Sequence, residues 1–170
     1  MRTLKFLHMG FDVIVSISND AFSFFRDRDN PEADANYYHG YFLNLLDPQV
    51  LEYIDLFSKK TGLRGIRILH AHGGFKENQW IYTDGNKESD VQTWVSRKDG
   101  TCACIFILSC NPGHATLATK KSILILPDRD TALIDDQVCF SLIGPGGREI
   151  SGYIIDSAIK DLQVEVGLQV

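Results

Sequence analysis

Short apolar runs alternate with amphipathic stretches along this chain. Four runs that are apolar or β-branched nearly throughout predict strands, over residues 11–18, 65–71, 102–109 and 122–126. Apolar residues on both sides of a strand are typical of a parallel sheet whose two faces are covered. The pattern therefore predicts buried strands at the centre of the protein.

Helical periodicity predicts three helices between these strands. Two of them begin with a capping residue followed by proline, at residues 30–31 and 47–48, and the second ends at Gly62. A capping-box pattern over residues 89–92 begins a shorter helix that ends before Gly100. These signals place helices on the connections between strands.

The remaining apolar runs are shorter. Residues 78–82 predict a short strand, and the tail carries two further strand candidates, 137–143 and 152–155. Alternation of strands and helices implies an α/β fold. We predict a single domain over residues 1–170, a three-layer α/β/α sandwich with a mostly parallel central sheet.

Composition and charge argue against several kinds of partner and location. The chain has 170 residues, of which 44% are hydrophobic and 23% charged, as in an ordinary soluble domain. Its net charge of −5 argues against nucleic acid or an anionic membrane as the partner. The longest apolar run, residues 102–108, is far shorter than the roughly 20 residues of a spanning helix, and Asp12 interrupts the N-terminal hydrophobic stretch. We therefore expect a cytoplasmic protein, and the sequence sets no oligomeric state.

The four cysteines are expected to be free thiols, because disulfides are rare in intracellular proteins. Cys102, Cys104 and Cys139 lie within apolar runs and are predicted to be core residues. Cys102 and Cys104 are two apart on a predicted strand and would share one face of it. Cys110 differs from them because it follows the end of a strand.

Reactive or polar side chains follow three of the predicted strands. Asn19 and Asp20 follow the first, His72 and Gly73 the second, and Cys110 the third. In an open α/β sheet, ligands bind beyond the carboxyl ends of the strands, and parallel strands bring those ends to one edge. We therefore expect His72 and Cys110 to approach each other across adjacent strands.

A histidine beside a cysteine is suited to nucleophilic catalysis. A free thiol has a pKa of about 8.5 and is mostly protonated at neutral pH, so an adjacent imidazole that takes its proton activates it. In this arrangement His72 is the general base and Cys110 the nucleophile. The backbone N–H groups of Gly73 and Cys110 would bind the developing oxyanion.

The same motifs follow one another in a characteristic order. A hydrophobic strand ends in His-Gly within residues 66–74, a hairpin turns at residues 84–85, a helix follows, and a second strand ends in Ser-Cys within residues 106–113. This order resembles the caspase-haemoglobinase fold of cysteine peptidases, and most of all the bacterial CHAT and clostripain-like groups. Residues 122–128 are similar to the next strand of that family, and residues 11–20 fit its first strand.

The resemblance implies a caspase-like cysteine endopeptidase that forms an acyl-enzyme on Cys110, takes a peptide or protein substrate and uses no cofactor or metal. In that family, residues after the first strand help to form the S1 pocket. Asn19 and Asp20 are therefore expected to contact the P1 residue, and the Asp20 carboxylate would favour Arg or Lys there. The connection after Cys110 leaves room for a short helix at residues 114–121.

Two other functions stay open on the sequence. His70, His72, Cys110 and His114 supply four nitrogen and sulfur ligands, which is the number that a structural zinc site requires. A non-catalytic interaction domain would keep the same caspase-like fold without turnover.

Overall fold

The computed structural model describes residues 1–18, 47–110, 112–113, 115–127, 140–150 and 152–167. The strands in these ranges are β1 (Arg2–His8), β2 (Phe11–Ile17), β3 (Ile66–His70), β4 (His72–Lys76), β5 (Gln79–Asp84), β6 (Lys87–Asp90), β7 (Cys104–Leu108), β8 (Ile123–Pro127) and β9 (Phe140–Ile143). The helices are α1 (Pro48–Thr61), α2 (Val91–Lys98) and α3 (Gly152–Glu165). The helix predicted from residue 30 and the residues Asn19, Asp20, His114 and Cys139 lie outside the described ranges.

A six-stranded mixed sheet in the order β1-β2-β3-β7-β8-β9 forms the centre of the protein. Its four inner strands are mutually parallel, and β1 and β9 pair antiparallel at the two edges. A separate three-stranded antiparallel sheet contains β4, β5 and β6. The predicted α/β class is confirmed, and the central sheet is mixed.

The central strands bury side chains on both faces. Every residue of β7 and β8 is buried, as their continuous apolar sequences predict. Alternate residues of β7 enter two different core clusters because side chains alternate along a strand: Phe106 packs in the first and Ile107 in the second. The first cluster includes residues of α1 and α3, and the second includes residues of α2 and β5.

The first strand of the chain is a feature that the sequence prediction missed. β1 and β2 form a hairpin closed by two residues, Met9 and Gly10, which both have positive φ angles, 50° and 84°. Two consecutive positive φ values are the signature of a type I′ turn, whose twist matches that of paired strands. Methionine is rare in this conformation, so the sequence carried no turn signal.

The strand predicted over residues 152–155 is wrong, because these residues begin α3. Four residues are too few to distinguish the two-residue period of a strand from the 3.6-residue period of a helix. The longer pattern is helical, because Ile155, Ile159 and Leu162 are all buried at spacings of four and three. This stripe packs α3 against α1, and the tail is therefore helical after β9.

The other predicted elements differ from the structure mainly at their ends. α1 begins at Pro48 and ends before Gly62, as predicted. The N-cap of α2 is Asp90, whose carboxylate accepts the Thr93 N–H at 2.9 Å, so the capping residue lies one position after the predicted one. Residues 115–121, where a short helix was expected, are not helical. In the described part of the chain, no helix has the length and apolar character needed to cross a membrane.

Candidate functional site

The register of β3 and β7 brings the segments of the two candidate residues together. The strands are adjacent and parallel, and their last paired residues are His70 and Leu108. The Ala71 N–H extends the pairing by one hydrogen bond of 3.3 Å to the Leu108 carbonyl. His72 and Cys110 each lie two residues beyond this last pair. Both therefore lie at the carboxyl edge of the central sheet.

The chain changes sheets immediately after this edge. β3 ends at His70, and β4 begins at His72 and pairs with β5, where His72 is opposite Thr83. His72 and Gly73, which were expected to follow the strand, begin this second sheet. The His72 residue is exposed there, so its imidazole is open to solvent.

The contact between Gly73 and Cys110 is the tightest feature of the site. A Cβ atom built on Gly73 would overlap the carbonyl oxygen of Cys110 and lie 3.1 Å from both the Cys110 amide nitrogen and the Ser109 Cβ atom. No other residue type fits without moving one backbone away from the other. The residue that follows His72 therefore touches the backbone of Cys110.

Two aromatic residues hold the segment around Cys110 against the second sheet. The indole N–H of Trp80, a β5 residue that is 2% exposed, donates a 3.0 Å hydrogen bond to the Cys110 carbonyl oxygen. The ring of Phe75 lies so close to Gly113 that a side chain there would overlap it. Neither aromatic residue was predicted to belong to the site, because their roles depend on the pairing of the two sheets.

Cys110 differs from the other described cysteines in its exposure. Cys102 and Cys104 are fully buried, as predicted, and burial raises the pKa of both thiols. Their expected position on one face is wrong: β7 begins only at Cys104, and the two side chains pack in different core clusters. Cys110 is partly buried and packs at the margin of the first cluster. Among the three, it is the cysteine with part of its surface exposed to solvent.

Ser109 is a buried polar residue beside this contact. Its side chain is fully buried, and its Oγ atom has no hydrogen-bond partner among the residues that the structure describes. A buried hydroxyl in this state loses its hydration without replacement, which costs free energy of folding. The residue before Cys110 is therefore not optimised for stability.

The predicted zinc ligands lie in different surroundings. His70 is 3% exposed at the end of β3, whereas His72 is exposed. In the part of the chain that is described, no three His, Cys, Asp or Glu side chains are grouped closely enough to hold a metal ion. His114, the fourth predicted ligand, and the predicted P1-contacting residues Asn19 and Asp20 lie outside that part.

No protein-family model, curated protein or solved structure matches this chain. The resemblance to caspase-haemoglobinase peptidases therefore stays a prediction that depends on the motifs at His72 and Cys110.

Proposed function

We propose that this protein is a caspase-like cysteine endopeptidase in which His72 is the general base and Cys110 the nucleophile. The observation that carries the proposal is the backbone contact between Gly73 and Cys110 at the carboxyl edge of β3 and β7. This contact keeps the residue after the histidine against the cysteine. A catalytic pair requires such proximity between residues that are distant in sequence.

The proposed fold is a three-layer α/β/α sandwich with a mostly parallel central sheet. In support, the four inner strands are parallel, α1 and α3 contribute to one core cluster, and α2 contributes to the other. The elements between the two candidate residues are the small antiparallel sheet, α2 and β7, in that order. This is the order in which the motifs of the resembling family occur.

In the proposed reaction, His72 takes the proton of the Cys110 thiol as the sulfur attacks the peptide carbonyl carbon. The carbon–oxygen double bond opens to a tetrahedral oxyanion, for which the N–H groups of Gly73 and Cys110 are the proposed donors. The oxyanion collapses to a thioester, and the departing amine receives the proton from His72. Water then attacks the thioester, which releases the acid and restores the thiol.

The accessibility of the two side chains fits an extended substrate. His72 is exposed and Cys110 is partly exposed, so a peptide laid along this edge can reach both. Asn19 and Asp20 follow β2, which is the strand next to β3. We propose that they contact the P1 residue and that Asp20 selects Arg or Lys.

The test is cleavage of fluorogenic peptides that carry Arg, Lys, Asp or Asn at P1 by the purified full chain. Cys110→Ala is expected to abolish cleavage and His72→Ala to reduce it by at least about a hundredfold, because general-base catalysis contributes that much. Cys102→Ala is the matched control, since it removes a buried thiol outside the site. Full activity in Cys110→Ala would exclude the proposed nucleophile, and equal rates for all four peptides would exclude selection by Asp20.

A non-catalytic interaction domain would give a different result in the same assay. It would cleave none of the four peptides, and Cys110→Ala would change nothing that the assay measures. Far-UV circular dichroism of each variant ensures that a loss of cleavage is not a loss of fold.

A further inference from the structure

A cavity of about 320 Å³ lies between α2 and the three-stranded sheet. Its sheet side is formed by two cross-strand pairs of β5 and β6, Tyr82 with Ser89 and Asp84 with Lys87. Its helix side includes Trp94, Arg97 and Lys98. His72 and Cys110 do not line it, so the cavity is separate from the proposed catalytic pair.

The lining of this cavity is cationic although the chain as a whole carries a net charge of −5. Lys87, Arg97 and Lys98 contribute three positive charges, and Asp84 is the lining carboxylate. Asp84 is already engaged, because it pairs with the Met1 ammonium at 3.0 Å. Among the described residues, no carboxylate lies within ion-pair distance of the three cations.

The helix dipole explains only part of this charge. Arg97 and Lys98 are in the last turn of α2, where positive charges are favourable. Lys98 also lies over the ring of Trp94, with its Nζ atom 5.5 Å from the ring centroid. Lys87 belongs to β6 and gains nothing from the helix. Three cations from two elements repel one another across one cavity, and a bound anion would relieve that repulsion.

We propose that this cavity is a binding site for a compact organic or inorganic polyanion. The volume is at the small end of the range of ligand pockets, which is about 300–1,000 Å³. The buried residues Tyr82 and Trp94 form part of the cavity wall, and charges beside low-dielectric protein attract a ligand more strongly than charges surrounded by water. Phosphate and carboxylate groups share the required chemistry.

The test is isothermal titration calorimetry of the full chain with tripolyphosphate and, separately, with citrate at low ionic strength. Saturable binding is expected, and it should weaken as salt is added because Lys87 and Arg97 are exposed to solvent. Lys87→Gln and Arg97→Gln are each expected to raise the Kd about tenfold, because each removes one charge-assisted contact. Lys87→Arg keeps the charge and is expected to keep the affinity.

Lys160→Gln is the matched control, because it removes the same charge from an exposed residue of α3, which contributes to the other core cluster. Binding of tripolyphosphate alone would identify phosphate as the recognised group, and binding of citrate alone would identify carboxylate. The proposal is overturned if neither probe binds saturably, if Lys160→Gln weakens binding as much as Lys87→Gln, or if no variant weakens it. Peptide cleavage is not measured, so this result is independent of the proposed peptidase function.

Discussion

The indole N–H of Trp80 donates a hydrogen bond of 3.0 Å to the carbonyl oxygen of Cys110, a residue 30 positions later in the chain. The donor is on β5, in the small antiparallel sheet, and the acceptor follows β7, in the central sheet. This partly buried hydrogen bond thus joins the two sheets at the proposed nucleophile. Its removal should affect both the stability of the fold and the position of Cys110.

Trp80→Phe is expected to lower the free energy of unfolding by about 1–3 kcal/mol, because it leaves the Cys110 carbonyl without this donor and reduces the buried area. Urea denaturation measures the change. Trp94→Phe is the control, since Trp94 is also buried but its indole N–H has no hydrogen-bond acceptor among the described residues. An equal loss in both variants would show that size alone matters and that the hydrogen bond adds nothing.

Gly73→Ala is expected to destabilise the protein by about 1–3 kcal/mol or more, because the new methyl group overlaps the Cys110 carbonyl oxygen and forces the two backbones apart. Gly74→Ala is expected to be nearly neutral, since a Cβ atom there has no neighbour within 4 Å. Urea denaturation of both variants provides the comparison. Similar stability of the two variants would contradict the close packing of Gly73 against Cys110.

The described thiols are expected to react with iodoacetamide in an order set by burial. Cys110 is partly exposed and should be alkylated in the native protein. Cys102 and Cys104 should react only on unfolding, because burial raises the pKa of both thiols and excludes the reagent. Mass spectrometry of proteolytic peptides after a timed reaction measures each site. Alkylation of Cys104 as fast as Cys110 would contradict the burial of β7.

Ser109→Ala is expected to leave the free energy of unfolding unchanged or to raise it by about 1 kcal/mol, because it removes a buried hydroxyl that has no hydrogen-bond partner in the described part of the chain. Ser122→Ala is the contrasting variant. The Ser122 hydroxyl is equally buried, but it donates to the Cys102 carbonyl at 2.8 Å and accepts from the Gly100 N–H at 2.9 Å. Its loss should cost about 1–3 kcal/mol. The same cost for Ser109→Ala would show that its hydroxyl does have a partner in solution.

Asp99 is expected to make stability depend on pH in the acidic range. Partial burial disfavours its charge, but hydrogen bonds from the backbone N–H groups of Lys120, Lys121 and Ser122 outweigh this and lower the pKa of Asp99. Because the folded-state pKa lies below the unfolded value of about 4, the stabilisation is complete above that value. It is lost as the pH falls from there through the folded-state pKa.

The Asp99→Asn variant is therefore expected to have a free energy of unfolding about 1–2 kcal/mol below that of the wild type at neutral pH. This difference should become smaller in acid. Urea denaturation at a series of pH values measures both effects. Asp55→Asn is the control, because Asp55 forms an exposed ion pair with Lys59 at 3.0 Å, and such pairs contribute about 0–1 kcal/mol. A difference between Asp99→Asn and wild type that stays constant down to acid pH would contradict the role of the charge.

The elements that could be predicted from sequence are those whose signals are local. β7 and β8 are apolar throughout, so their burial follows from the residues themselves. α1 is bounded by Pro48 and Gly62, so its ends do as well. The start of α3 was mistaken for a strand because its helical stripe becomes visible only when Ile159 is compared with Ile155. A stretch of four residues was too short to show the helical period of α3.

The candidate site was predictable to a similar degree. The approach of the segments carrying His72 and Cys110 follows from parallel strands that end at one edge. The contribution of Trp80 was not predictable, because it requires β5 to fold back over the loop after β7. Local sequence contains no information on which strand of one sheet meets a loop of another.

The parallel pairing of the inner strands has a consequence for how the chain reaches this structure. The hairpin of β1 and β2 closes over two residues and can form in about microseconds, whereas β3 and β7 pair residues 38 positions apart, such as Ile66 with Cys104. Pairing of β3 with β7 is slow, because closing the long loop between them first costs conformational entropy. Until it is complete, the wholly apolar β7 and β8 can pair with other chains, and the yield on refolding should therefore fall as protein concentration rises.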